Sequence, residues 1–178
     1  MNKSNKIEDS LNKIFSTSGY KMVDVSSKDI THRKALAMGE IILSPKIIEM
    51  IKNNKMPKGD PLAIAEVSGI NGVKKTSELI PLCHPLPLDH ISLHTEINDK
   101  KNSIVVYCLV SANSKTGVEM EALSGVSSAL LAIYDLSKIV EPNLKISNTK
   151  LLIKSGGKKG LWTNPDGIPD KIKNILKI

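Results

Sequence analysis

Between residues 88 and 140 the hydrophobic period changes from two to about 3.6, and that change restricts the fold more than any other feature of the chain. Leu88, Ile91, Leu93, Thr95 and Ile97 form a loosely alternating run. Asn98 to Asn102 is a polar turn, and Ser103 to Ala112 (SIVVYCLVSA) is strongly β-prone. The pair reads as an antiparallel hairpin with a longer loop. A helix follows from about Val118 to Val140, with Leu123, Val126, Leu130, Ile133 and Val140 on one face and Ser137 the polar member of that row. Its first half is crowded with small residues (Ala122, Ser124, Gly125, Ser127, Ser128, Ala129), which permits close packing against a sheet or another helix. Pro142 ends it. Residues 144–155 supply a last strand centred on Leu151, Leu152 and Ile153.

Upstream, Lys21 to Val25 (KMVDV) alternates and is a candidate first strand. Residues 29–53 read as helix, broken by Pro45 into two pieces, with Ser44 capping the second. Asn53 to Asp60 is a loop by composition, and residues 61–80 are predicted helical after an Asp60 cap, with Ala63, Val67, Ile70 and Val73 as the apolar stripe. Gly69 and Gly72 weaken that helix or admit another backbone. The order β-α-α-β-β-α-β, with the middle helices taken as one crossover, is the ferredoxin-like β-α-β-β-α-β order of the α+β class. It predicts an antiparallel sheet with helices on one face, the other face meeting a symmetric copy. The domain plan is a flexible arm (1–20), a single domain (21–160) and a variable tail (161–178).

A chain of 178 residues is long enough for one substantial core. Only 3% of it is aromatic, so that core is aliphatic, and base-stacking RNA or single-strand readers are disfavoured. The net charge of +7 suits a polyphosphate ligand or a nucleic acid, but the lysines are spread along the chain rather than forming one basic block. Cys83 and Cys108 give neither a disulfide framework nor zinc spacing. With no secretory-type apolar start and no apolar run of membrane-spanning length, a cytoplasmic protein is expected.

Five constellations could carry chemistry. Cys83 and His84 sit between prolines in LIPLCHPLPL, residues 79–88, and a loop stiffened by prolines can aim an imidazole at a ligand. Further metal-ligand candidates, His90, His94 and Cys108, lack the short spacings of zinc sites. Lys58-Gly59-Asp60 could reach a phosphate or transfer a proton, or be a surface turn with a helix cap. In Lys115 to Glu121 (KTGVEME), Glu119 and Glu121 sit in a helix's first turn, where acids also simply complement the dipole. Asp135 and Lys138 can touch at i, i+3, and no charged residue lies between Glu121 and Asp135. Lys154 to Gly160 (KSGGKKG) suits backbone phosphate binding without Walker A spacing, or is a flexible basic loop. On a straight helix, Glu121 and Asp135 would lie about 21 Å apart. One small substrate cannot span both on one chain.

These segments together resemble the cyclic pyranopterin monophosphate synthases, the molybdenum cofactor biosynthesis protein C family. The resemblance covers about Met22 to Gly160. It is carried by MVDVS at 22–26, KGDPLA at 58–63, LIPLCHPLPL at 79–88, KTGVEMEALSGVSSALLAIYDLSK at 115–138 and LLIKSGGKKG at 151–160. It implies a ferredoxin-like fold and a hexamer built as a trimer of dimers, with active sites at a subunit interface. The implied reaction is that of a lyase: 3′,8-cyclised dihydro-GTP becomes cyclic pyranopterin monophosphate and pyrophosphate leaves. Carried across residue by residue, Asp135, Lys58 and Lys138 are the catalytic group. Leu82, Cys83, His84, Glu119, Met120, Glu121, Lys154, Arg33 and Lys75 are the substrate contacts. No resident metal or cofactor is implied, though Mg²⁺ could accompany the triphosphate. Where the family has a phosphate-facing arginine this chain has lysine in the Lys74-Lys75 pair, which loses bidentate geometry. Two rival readings remain: a basic nucleic-acid-binding module without catalysis, and a structural partner of another enzyme.

Overall fold

The computed structural model describes residues 19–176, together with Ile7, Ser10, Leu11 and Lys13. The expected arm at residues 1–20 therefore lies largely outside the described residues. In chain order the elements are β1 (Thr31–Ile42), α1 (Pro45–Lys52), α2 (Pro61–Lys74), α3 (Thr76–Leu79), β2 (His90–Asn98), β3 (Ser103–Ser114), α4 (Glu119–Ser137), β4 (Lys145–Ser155), β5 (Trp162–Thr163) and α5 (Asp170–Leu176). The sheet order is β2-β3-β1-β4-β5, antiparallel at every pairing. Its first four strands have the ferredoxin-like arrangement expected from the element order.

Local chemistry sets the helix starts. Ser44 Oγ accepts from the Ile47 amide and Pro45 opens α1. Asp60 accepts from the Leu62 and Ala63 amides and Pro61 opens α2. Both arrangements satisfy amides that have no intrahelical partner. The hairpin β2–β3 keeps the predicted alternation: Leu93 pairs with Cys108, and Cys108 with Ala37 of β1, so these share one sheet face. On that face Ala35, Ala37, Ile41, Ile104, Val106, Cys108, Val110 and Ala112 are buried beneath α2 and α4. Val126, Leu130 and Ile133 of α4 meet them with no exposure, each contributing about 1.5–3 kcal/mol by burial.

Three sequence expectations need correction. Residues 21–25 form no strand; Lys21 to Asp24 lie exposed along the surface. The first strand is Thr31–Ile42, inside the stretch expected to be helical, and helix begins only at Pro45. This is the central strand of the core sheet, paired on both sides, with Leu36 and Met38 on one face and Ala35, Ala37 and Ile41 on the other. Apolar residues on both faces erase the alternation that would identify a strand. Alanine, methionine and glutamate also favour helix locally, and tertiary pairing overrides them. In α2 the buried face is Ala65, Gly69, Gly72 and Val73; of the expected stripe only Val73 is buried, while Ala63 and Val67 are exposed and Ile70 is half-buried. Glycine explains the rotation. A Cβ on Gly69 would collide with Leu93, and one on Gly125 with Val73 and Cys108, so α2 and α4 approach at backbone distance.

The second sheet face is partly covered within the chain. The Glu40 carboxylate, buried there, accepts from Ser103 Oγ at 2.6 Å and Asn148 Nδ2 at 2.9 Å. β5 continues the sheet beyond β4, and the tail after it reaches the opposite edge, where Lys171 pairs with Glu96 of β2 at 2.7 Å. Glu96 alternates with Thr95 and Ile97, so it points away from α2 and α4. The tail therefore crosses the face that the sequence reading left entirely to a second copy.

Candidate active site

The N-terminal end of α4 opens onto two adjoining clefts. The larger, about 530 Å³, is bounded by residues 27–34, Lys115 to Gly117, Glu119 and the loop Lys154 to Gly160. Among the described residues Arg33, Lys115, Lys154, Lys158 and Lys159 line it, joined by Lys28 and Lys34, against the two acids Asp29 and Glu119. Arg33 leaves β1 with its guanidinium donating to the carbonyls of Ser114 (3.4 Å) and Lys115 (3.3 Å). The loop folds down on it: Gly156 (φ +100°) and Gly157 (φ +70°) lie so close to His32 and Arg33 that any side chain would strike the His32 carbonyl or the guanidinium. Only glycine suits both the backbone angle and the proximity. Lys154 Nζ reaches Glu119 Oε1 at 2.9 Å, and Glu119 occupies the first turn of α4, where the helix dipole favours a carboxylate.

The second cleft, about 390 Å³, is lined by Val23, Leu82, Cys83, His84, Leu86, Met120 and Glu121, and shares Lys28, Thr116, Gly117 and Glu119 with the first. The proline loop is held at both ends. Thr76, buried, donates its hydroxyl to the Val73 carbonyl (2.9 Å), and the Cys83 amide closes a turn on Ile80. Leu86 and Leu88 pack against the core, and Asp89 accepts from both nitrogens of Asn113 at 2.8 Å. Glu121 is only 5% exposed. Burial, then the nearby Glu119, pushes its carboxyl above the ordinary range, so it holds a proton more readily than a surface glutamate. Burial and Glu121 likewise raise the Cys83 thiol, which keeps it protonated and unsuited to be a nucleophile.

The opposite end of α4 holds the third group. Asp135 bonds Lys138 Nζ at 2.7 Å and Lys58 Nζ at 3.0 Å. Those hydrogen bonds hold its carboxyl below the usual value, while the pairing raises Lys138. Lys58 arrives from the loop before α2, which runs antiparallel to α4, and its ammonium also donates to the Asp135 carbonyl at 3.4 Å. All three side chains are about half exposed, and they border neither cleft.

A proline-stiffened Leu-Cys-His loop, an acid-bearing helix start and a glycine-lysine loop thus converge on one end of one helix. The model of the MoaC family matches residues 22–157, which takes in the proline loop, the start of α4 and the first part of the glycine-lysine loop, up to Gly157. The chain belongs to the MoaC family. Among its relatives is the cyclic pyranopterin monophosphate synthase of Chloroflexus aurantiacus, 43% identical over 145 residues, covering 82% of this chain and 89% of that protein. The enzyme of the same name from Thermomicrobium roseum is 42% identical over 146 residues, with 82% and 88% covered. That from Streptomyces avermitilis is 40% identical over 156 residues, with 88% and 91% covered.

Within this MoaC-family fold the sequence-predicted residues separate into three places. Arg33, Lys154 and Glu119 line the basic cleft, and Leu82, Cys83, His84, Glu119, Met120 and Glu121 the neighbouring one. Asp135, Lys58 and Lys138 form the remote cluster. Lys75 caps the C-terminus of α2, borders neither cleft and pairs with Glu78 at 2.9 Å. Sequence reasoning missed Lys28 and Lys34. Their signal was the concentration of cations at 28, 33 and 34, obscured because Arg33 and Lys34 were read as part of a helix and Lys28 as lying just before it.

Proposed function

We infer that this chain is a cyclic pyranopterin monophosphate synthase, a lyase of molybdenum-cofactor biosynthesis. It converts 3′,8-cyclised dihydro-GTP to cyclic pyranopterin monophosphate with release of pyrophosphate. The observation that carries this reading is the pair of adjoining clefts: one rich in cations, the other bearing a buried acid and an imidazole, in a member of the MoaC family.

The clefts divide the substrate by chemistry. Arg33, Lys154 and the loop lysines neutralise the triphosphate. Phosphoryl transfer is mostly positioning and charge stabilisation, so this group supports attack at the α-phosphorus and departure of pyrophosphate. Mg²⁺ would enter on the triphosphate. His84 hydrogen-bonds the base or sugar and Glu121 accepts from the guanine amino edge. Opening and rebuilding the purine ring needs repeated proton transfers, assigned to Asp135 with Lys58 and Lys138. Asp135, kept ionised by two ammoniums, orients and stabilises them, and the lysines exchange protons with the substrate.

Asp135 and Glu121 are separated by 14 positions of one helix, about 21 Å at 1.5 Å per residue. The complete site therefore takes its remote cluster from a neighbouring copy. That supports a homo-oligomer; the hexameric trimer of dimers and the cytoplasmic compartment are proposed on the resemblance to the family. The deciding experiment incubates the protein with cyclised dihydro-GTP and follows pyrophosphate and pterin. Wild type turns over. Folded Asp135→Asn and Lys58→Ala variants with undiminished activity would remove the catalytic assignment, and absence of any turnover would remove the function.

A further inference from the structure

We propose that residues 162–176, beyond the end of the family match, form a strap that holds the basic loop 156–160 in its phosphate-binding shape, with Asn164 as the positioning residue. The proposal rests on the reading of the larger cleft as the phosphate subsite.

Without β5, the loop after Ser155 would be fixed at one end only. With it, Trp162 pairs with Lys154 and Thr163 with Ile153, so the loop is closed at both ends and the backbone of Lys154 is paired on its outer side. The Gly160 amide bonds the Gly157 carbonyl at 3.2 Å, tightening the segment that carries Lys158 and Lys159. Gly157 rests against the Arg33 guanidinium, so the height of the loop above β1 sets the space left for an anion.

Asn164 joins this strand to the rest of the tail through all four of its polar groups. Its amide donates to the Leu152 carbonyl at 2.8 Å and its Nδ2 to the Leu151 carbonyl at 2.7 Å. Its Oδ1 accepts from the Asp166 amide at 2.8 Å and its carbonyl from the Gly167 amide at 3.1 Å. The first two bonds fasten the tail to the edge of β4. The others fold the turn that starts the tail across the sheet, where Ile168 is buried and Lys171 reaches Glu96. Fixing a loop before binding removes ordering entropy from the binding step. The strap is expected to act on affinity for the phosphate end and not on the proton transfers at Asp135.

The test uses the full chain carrying Asn164→Ala, with steady-state kinetics on cyclised dihydro-GTP and calorimetric titration with inorganic pyrophosphate. Expected are a KM and a pyrophosphate Kd raised roughly tenfold, with kcat within about twofold of wild type. Asn164→Asp keeps the acceptor for Asp166 but loses the donor to Leu151. It gives the same direction should the alanine variant fold poorly. Unchanged KM and pyrophosphate affinity in folded Asn164 variants, beside an Arg33→Ala variant whose KM rises, overturn the strap alone. An Arg33→Ala variant with unaltered KM overturns the cleft reading and the strap with it.

Discussion

The two ends of α4 carry similar residues in opposite surroundings. At the N-terminal end Glu121 is buried, Glu119 is braced by Lys154, and a proline loop and a glycine loop wall off two clefts. At the C-terminal end Asp135, Lys58 and Lys138 form an open ion-pair cluster about half exposed to water. Burial raises the acid at the first end and ammonium partners lower the acid at the second. The first end is a container built by one chain. The second is a set of polar groups open to water, which borders neither cleft among the described residues and fits the proposal that a neighbouring copy completes the site.

That contrast can be broken most directly at the open end. Asp135→Asn or Lys58→Ala should reduce turnover by at least about 10²-fold, the usual scale for losing a proton-transfer group. Melting should barely move, because exposed ion pairs contribute little to stability. A large drop in melting temperature with proportionate loss of activity would make the cluster structural.

Mixing subunits sharpens it further. Asp135→Asn and His84→Ala chains, each nearly inactive alone, should regain roughly a quarter of wild-type activity when refolded together in equal amounts. Random pairing leaves that share of interfacial sites with both residues intact. No recovery in a verified mixed oligomer would place both ends in separate sites.

At the enclosed end, Arg33→Lys should raise KM about tenfold while leaving kcat nearly unchanged, since lysine cannot hold both the Ser114 and Lys115 carbonyls and still face an anion. An unaltered KM would remove Arg33 from substrate binding.

The smallest effect is a difference in sign. Glu121 binds its proton more tightly folded than unfolded, so its ionisation costs stability as pH rises from its unfolded pKa through its higher folded one, and the cost persists above that. Glu121→Gln should therefore melt higher than wild type at neutral pH, with the gap closing in acid below the unfolded pKa. Asp135 binds its proton less tightly folded, so its contribution is present above the unfolded pKa and fades as pH falls through the folded one. Asp135→Asn should melt slightly lower at neutral pH and match wild type in acid. Thermal scans across pH with both variants shifting the same way would contradict the environments described here.

Much of this was legible because it is local. Ser44-Pro45 and Asp60-Pro61 announce helix starts through capping chemistry confined to a few residues. The hairpin follows from alternation on either side of a polar turn, and Asp135 with Lys138 from helical spacing. The misread strand Thr31–Ile42 shows the limit. Its two apolar faces and helix-favouring residues become a strand only when β3 and β4 flank it. The same error hid Lys34, whose place in the cleft lining depends on where that strand begins.

Sequence by itself determined the element types around the proline loop, Lys58, α4 and Lys154, the aliphatic character of the core and which polar residues deserved suspicion, because each rests on contacts between near neighbours in the chain. Only the tertiary structure decided that Lys58 meets Asp135 across 77 positions, that Lys154 braces Glu119, and that a tail with no recognisable motif pairs with the edge of β4. Those depend on the antiparallel packing of α2 on α4 and on strand pairing between distant segments, and no local pattern encodes which distant partner a residue will face.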